Sequence, residues 1–187
     1  NAIANVLFGD YNPSGKLPVT FYKNLAQLDD NLSKTSKHQG FENYDMVGRT
    51  YRYMTEKPLY AFGHGLSYSN FTFGDAKLNK NTINTTENLT ITIPVKNTSK
   101  RDGEEVVEVY VKRNNDPTAP VKTLRAFERV FIKAGETKNV QLSISNDSFK
   151  YYDEKVDDLA SKTGNYTIFY GGTSDEAGLK SLQLNVK

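Results

Sequence analysis

The sequence of 187 residues contains no cysteine, which excludes disulfides, thiolate metal sites and a cysteine nucleophile and leaves the redox compartment unread. It has only two histidines, His38 and His64, so most histidine-based metal centres are excluded as well. No apolar run approaches the roughly 20 residues that a membrane-spanning helix needs. Charge of one sign is also missing: 24 basic against 22 acidic residues leave a formal net charge of +2. Spread without blocks, that charge gives no field strong enough to argue for nucleic acid or an anionic membrane as a partner. A glycine-rich phosphate loop is absent, because "GGTSDEAG" lacks the lysine and the strand-loop-helix setting of that motif. Ser14 and Ser67 lie in glycine-containing turns, but neither has a G-x-S-x-G elbow. The residues therefore point to no cofactor, no metal and no catalytic constellation.

What the sequence does hold is aromatic: 12 Tyr and 10 Phe, with a hydrophobic content of 37%, make wholesale disorder a poor reading. The length allows one large domain, or one small domain plus part of another. Two grammars divide it. In "AIANVLFG" the spacing of Ile3, Val6 and Leu7 predicts the end of a short helix, with Gly9 as its C-terminal stop. So short a helix needs a surface to pack on, and the sequence is read as starting inside a longer protein. Pro13 and Gly15 predict a turn, and "LPVTF" a short strand. Residues 23–47 are polar without a lasting period. "GRTYRYM" then reads as a strand, with Tyr51 and Tyr53 on one side.

From residue 71 the period becomes two. Leu89, Ile91, Ile93 and Val95 alternate with polar residues, as do Val107, Val109 and Val111 against an outward Glu108 and Tyr110. The same alternation recurs at Val140, Leu142 and Ile144, at Tyr166, Ile168 and Tyr170, and at Leu182, Leu184 and Val186. With "FTFGDAKL" and "FERVFIKA", about seven strands separated by turn clusters predict an antiparallel β-sandwich. The fold expected from this pattern is mainly β, an antiparallel sandwich preceded by a mixed helix-and-strand segment.

"FGHGLSY", residues 62–68, falls where the two grammars meet. Gly63 and Gly65 are read as permitting a tight reversal rather than cradling a substrate, and His64 has no neighbour in sequence that makes a catalytic pair. Asp29, Asp30, Glu42 and Asp45 could serve as acid and base, but as loop carboxylates they read as a solvated surface. Phe41, Tyr44, Tyr51 and Tyr53 could form a platform for stacking sugars. For Tyr51 and Tyr53 core packing is the preferred role. Phe41 and Tyr44 stay open between packing and substrate binding. A competing reading of the whole sandwich is a carbohydrate-binding or adhesion module, for which outward Tyr110 is the aromatic candidate.

"NPSGKLPVTF" followed by "GRTYRYMTEKPLYAFGHGLSYSNF" resembles the C-terminal part of glycoside hydrolase family 3, the β-glucosidase and β-xylosidase group, and "TLRAFERVFIKAGETKNVQLSIS" with "GNYTIFYGGTSDE" resembles that family's fibronectin type III-like domain. The resemblance implies a mainly β fold, an immunoglobulin- or fibronectin III-like sandwich over residues 67–187 preceded over residues 1–66 by the C-terminal piece of an α/β sandwich domain, and it makes Phe41 and Tyr44 candidates to line a subsite of an active site encoded upstream. It implies a retaining, exo-acting β-glycosidase whose Asp nucleophile and Glu acid/base lie upstream, about 5 Å apart across one sugar. This segment then holds neither, and its partners are the N-terminal catalytic portion and, through it, an oligosaccharide. His64 departs from the tyrosine that the family often carries there. "GRTYRY" is nearer the xylosidase-like branch, and the family's setting implies a periplasmic or secreted protein.

Overall fold

The computed structural model describes residues 1–24, 27, 46 and 48–187. Helix α1, Ala2–Phe8, ends at Gly9, whose φ of 82° lets its N–H return to the carbonyl of Val6 at 3.1 Å. The "LPVTF" stretch does not form the expected strand. Pro18 has no N–H to offer a ladder, and only an isolated antiparallel bridge forms between Phe21 and Tyr60. "GRTYRYM" is likewise corrected: Thr50–Tyr53 is a single helical turn, α2. Gly48 (φ 73°) and Thr50 (φ 54°) take the backbone through left-handed conformations that a strand cannot contain. The N–H groups that open the turn find side-chain acceptors in Tyr22, Thr20 and Thr50 itself.

The period-two region folds as expected. One sheet centres on β4 (Leu89–Asn97), with β7 (Thr137–Ile144) along one side and two short strands, β1 (Phe71–Phe73) and β2 (Lys77–Leu78), sharing the other. The second sheet runs in the order β3 (Thr82–Ile83), β11 (Lys180–Val186), β10 (Gly164–Gly171), β5 (Gly103–Arg113), β6 (Thr123–Ile132). Only the β3–β11 pairing is parallel among these neighbours. A separate hairpin, β8 (Lys150–Asp153) and β9 (Asp158–Ser161), stands beside the two sheets.

The core lies between the sheets and is built from the alternating residues read from the sequence: Leu89, Ile91, Ile93 and Val95 from β4 meet Val107, Val109 and Val111 from β5 and Tyr166, Ile168 and Tyr170 from β10. Burying each aliphatic side chain contributes about 1.5–3 kcal/mol relative to leaving it in water. Tyr170 carries its hydroxyl into this layer by accepting from the Ala76 N–H at 3.1 Å and donating to the Gly74 carbonyl at 3.2 Å. The described residues before 69 pack on the outer face of the second sheet through Lys16, Tyr51 and Gly63, and several of them have the opposite character. Ile3, Leu7 and Phe8 of α1 are 79%, 73% and 84% exposed, and Val19, Leu59 and Leu66 are exposed as well.

Candidate functional site

The most elaborated polar surface of the molecule is the seam between residues 1–68 and the outer face of β5. Tyr51, at the centre of α2, stacks on Phe62 with ring centroids 4.4 Å apart and meets Tyr110 edge-on at 5.7 Å. Its hydroxyl also accepts from the N–H of Leu124 at 3.2 Å. The outward Tyr110 of the sequence reading is thus corrected: it does point away from the sandwich core, but α2 and the glycine loop cover it completely. An exposed aromatic row for an independent binding module loses its one named member.

Beneath the same cover, Glu108 is 4% exposed and accepts from the Tyr110 hydroxyl at 2.5 Å. Burial pushes its carboxyl up to about 7; the Tyr110 hydrogen bond and the nearby Lys16 pull it down, and Glu105 pushes it up again. The Tyr110 phenol is itself raised, first by burial and then by the Glu108 charge. A carboxyl held near 7 has the acidity of a general acid or base. Its enclosure under Gly63 and Tyr51 gives a sugar no approach, so its role here is in docking.

The glycines of "FGHGLSY" make that docking possible. At Gly63 (φ 79°) a Cβ would fall 2.4 Å from Glu108 Oε2, and at Gly65 a Cβ would fall 2.3 Å from the carbonyl oxygen of Gly15. Main-chain bonds then tie the loop down: Leu17 N–H to the His64 carbonyl at 2.8 Å, Gly63 N–H to the Leu17 carbonyl at 2.9 Å, and Ser174 N–H to the Phe62 carbonyl at 2.9 Å. His64 lies tilted on the Tyr60 ring at 4.8 Å, and among the described residues its imidazole has no hydrogen-bond partner. The loop is a clamp for the seam, in line with the structural reading of its sequence.

Toward α1 the seam continues through Asn12. Its amide donates to Ser69 Oγ and the Asp102 carbonyl, both at 2.8 Å, and accepts from Tyr68 N–H at 2.9 Å and Ser67 Oγ at 3.0 Å. Ser14 donates to Glu104 at 3.1 Å, and Lys16 pairs with Glu105 at 2.7 Å. Arg101 donates to the Gly9 carbonyl and covers the Tyr68 ring, whose hydroxyl bonds the Val6 carbonyl at 2.6 Å. Both serine hydroxyls are thus spent as donors within the seam, Ser14 to Glu104 and Ser67 to Asn12.

A cleft opens where the seam meets the 173–176 turn, between Thr20, Met54, Pro58 and Lys122. Its carboxylates are already engaged: Asp175 lies 3.8 Å from Lys57, and Glu176 lies 3.4 Å from Lys122. Among the described residues no cluster of His, Asp and Glu could hold a metal ion. Phe41 and Tyr44, the substrate-binding candidates, lie outside the described residues, as do His38, Asp29, Asp30, Glu42 and Asp45. What sequence reasoning missed is the pairing of Glu108 with Gly63. The signal available was a glutamate placed between valines on a strand.

Two family models match the chain in tandem: the glycosyl hydrolase family 3 C-terminal domain over residues 1–68 and a fibronectin type III-like domain over residues 105–174. A xylan 1,4-beta-xylosidase of Xylanibacter ruminicola is 43% identical over 185 residues, 99% of this chain and 20% of that protein. A periplasmic beta-glucosidase of Salmonella typhimurium is 36% identical over 190 residues, 98% of this chain and 24% of that protein. Among solved structures, a β-glucosidase of Erythrobacter marinus superposes over the whole chain with a TM-score of 0.79 at 34% identity, covering 23% of its own length. The chain spans about a fifth to a quarter of the length of the relatives it matches.

Proposed function

The chain belongs to glycosyl hydrolase family 3, as the end of its α/β sandwich domain joined to its fibronectin type III-like domain, and on that premise we propose that it is the non-catalytic C-terminal portion of a retaining, exo-acting β-glycosidase. The observation that carries this reading is the asymmetry of residues 1–68. One side is bound to the sandwich through Asn12, Lys16, Tyr51 and Gly63, while the other leaves Ile3, Leu7, Phe8 and Leu59 in solvent. Large apolar side chains exposed on one short helix, as Ile3, Leu7 and Phe8 are, call for a neighbour to cover them. The occupant proposed is the N-terminal catalytic portion, which supplies the nucleophile and the acid/base. The sandwich holds the last layer of the α/β domain in place for it.

The substrates proposed are oligosaccharides with β-linked glucose or xylose at the non-reducing end, supported by relatives of both activities. A periplasmic or extracellular setting is proposed from the Salmonella relative. The division between the two units is proposed to fall between residues 66 and 67. Phe41 and Tyr44 are proposed to line the sugar subsite away from the cleaved residue; replacing each by Ala in the full enzyme lowers kcat/KM for disaccharides, and unchanged values would remove them.

Assay of the isolated polypeptide on aryl β-glucoside and β-xyloside tests the main reading. No turnover alone, with turnover restored on mixing with the N-terminal portion, is the expected result. Hydrolysis by the isolated chain would overturn it. In the same mixing experiment, Leu7→Glu together with Phe8→Glu abolishes restoration without destabilising the sandwich.

A further inference from the structure

Apart from the seam, one groove has unspent binding capacity. It lies between α2, the 113–120 segment and the β8–β9 hairpin. At its base the β5–β6 ladder slips: Val109 pairs with Ala126 and Tyr110 with Leu124, so Arg125 is an extra residue without a ladder partner. A bulge of this kind re-aims a side chain. Here it sends Arg125 into the groove, against the hydroxyl of Tyr151. From the opposite wall comes Arg52 of α2, whose guanidinium lies 5.6 Å from the centre of the Tyr53 ring.

Most of the lining charge is neutralised within the wall. Arg113 pairs with Asp116 at 2.5 Å, Lys150 with Asp147 at 2.7 Å, and Lys162 with Asp153. Arg52 and Arg125 have no carboxylate among the described residues, and the Nε–H of each is buried without an acceptor. Those Nε–H groups are out of a ligand's reach, which leaves the terminal NH2 groups of each guanidinium, a pair of donors that can take a carboxylate through two parallel hydrogen bonds. Beside these charges stand the rings of Tyr53, Tyr151 and Tyr152, the last 60% exposed.

We propose that this groove binds a carboxylate-bearing sugar, a hexuronic acid unit of an oligosaccharide, with Arg125 and Arg52 taking the carboxylate and Tyr152 stacking on the pyranose ring. Three features select that ligand class. Two uncompensated guanidiniums call for an anion. An exposed phenol ring suits the flat apolar face of a sugar. The wall carboxylates Asp116, Asp147, Asp153 and Glu154 can accept hydrogen bonds from sugar hydroxyls. The ligand therefore carries one charge and several hydroxyls.

Isothermal titration calorimetry on the full-length protein tests this, with a glucuronic acid disaccharide, its methyl ester, the matching neutral disaccharide and inorganic sulfate as titrants. The expected result is at least tenfold weaker binding of the methyl ester than of the free acid. Arg125→Gln removes that preference and leaves binding of the neutral disaccharide unchanged. Tyr152→Ala, at an exposed position where folding is not at stake, weakens acid and ester alike. Equal affinity for acid and ester, an unaltered preference in both Arg125→Gln and Arg52→Gln, or sulfate competing as well as the uronide would each overturn the assignment.

Discussion

Gly63 and Glu108 are packed so closely that the Cβ which glycine lacks would sit 2.4 Å from the buried carboxylate oxygen. The first residue belongs to the loop that ends the family 3 α/β segment, and the second to the outward face of a sandwich strand. Their contact makes the glycine a docking requirement, beyond the freedom it gives the backbone at φ 79°.

Gly63→Ala is expected to destabilise the chain by about 2–4 kcal/mol, from roughly 1–2 kcal/mol of left-handed backbone strain plus displacement of Glu108 from its donor. Urea denaturation reads the loss. In the background of Glu108→Ala the same substitution costs only the backbone part, so a double-mutant cycle separates the two.

Glu108 makes stability depend on pH. Because burial raises its folded-state value from 4.5 to about 7, the native state keeps a proton that the unfolded chain releases. The contribution is fully present below the unfolded value and is lost as pH rises to about 7, a change of roughly 3 kcal/mol. Glu108→Gln is expected to abolish this part of the profile. The difference in unfolding free energy between the two proteins, measured from pH 4.5 to 8, then moves in favour of the variant as pH rises.

Tyr110→Phe removes the hydroxyl that helps hold down the acidity shift of Glu108. The carboxylate form loses its donor, so the variant is expected to be destabilised by about 1–3 kcal/mol at pH 8 and by less at pH 5. Parallel denaturant titrations at the two pH values check the sign.

Asn12→Ala leaves Tyr68 N–H, Ser67, Ser69 and the Asp102 carbonyl without the amide that joins them. A loss of about 1–3 kcal/mol is expected, since each net hydrogen bond contributes roughly 1 kcal/mol and part of the site can recruit water. Hydrogen exchange should quicken at residues 67–70 and 101–103 while the β4 and β10 amides stay protected. A uniform acceleration would place Asn12 in the global core instead.

Period-two alternation carries to the structure almost unchanged in β4, β7, β10 and β11, where core residues face a sheet whose own strands supply the partner layer. It fails as a guide at "GRTYRYM". Tyr51 and Tyr53 alternate there by coincidence, and two left-handed backbone positions close a helical turn that aims Tyr51 at the sandwich. The Arg125 groove was equally hidden, because a one-residue slip between paired strands leaves no mark in either strand read alone.

The long strands, the sandwich core and the family were thus set by local pattern: side-chain alternation and the "NPSGKLPVTF" and "FGHGLSY" blocks need no knowledge of distant contacts. Which outward face is dry was decided only by the fold. Periodicity tells which way a residue points from its own strand and nothing about what arrives from above. The fate of Glu108 and Tyr110 depended on residues 51–63, some fifty positions earlier, closing over them and excluding water from a carboxyl that the sequence alone assigns to solvent.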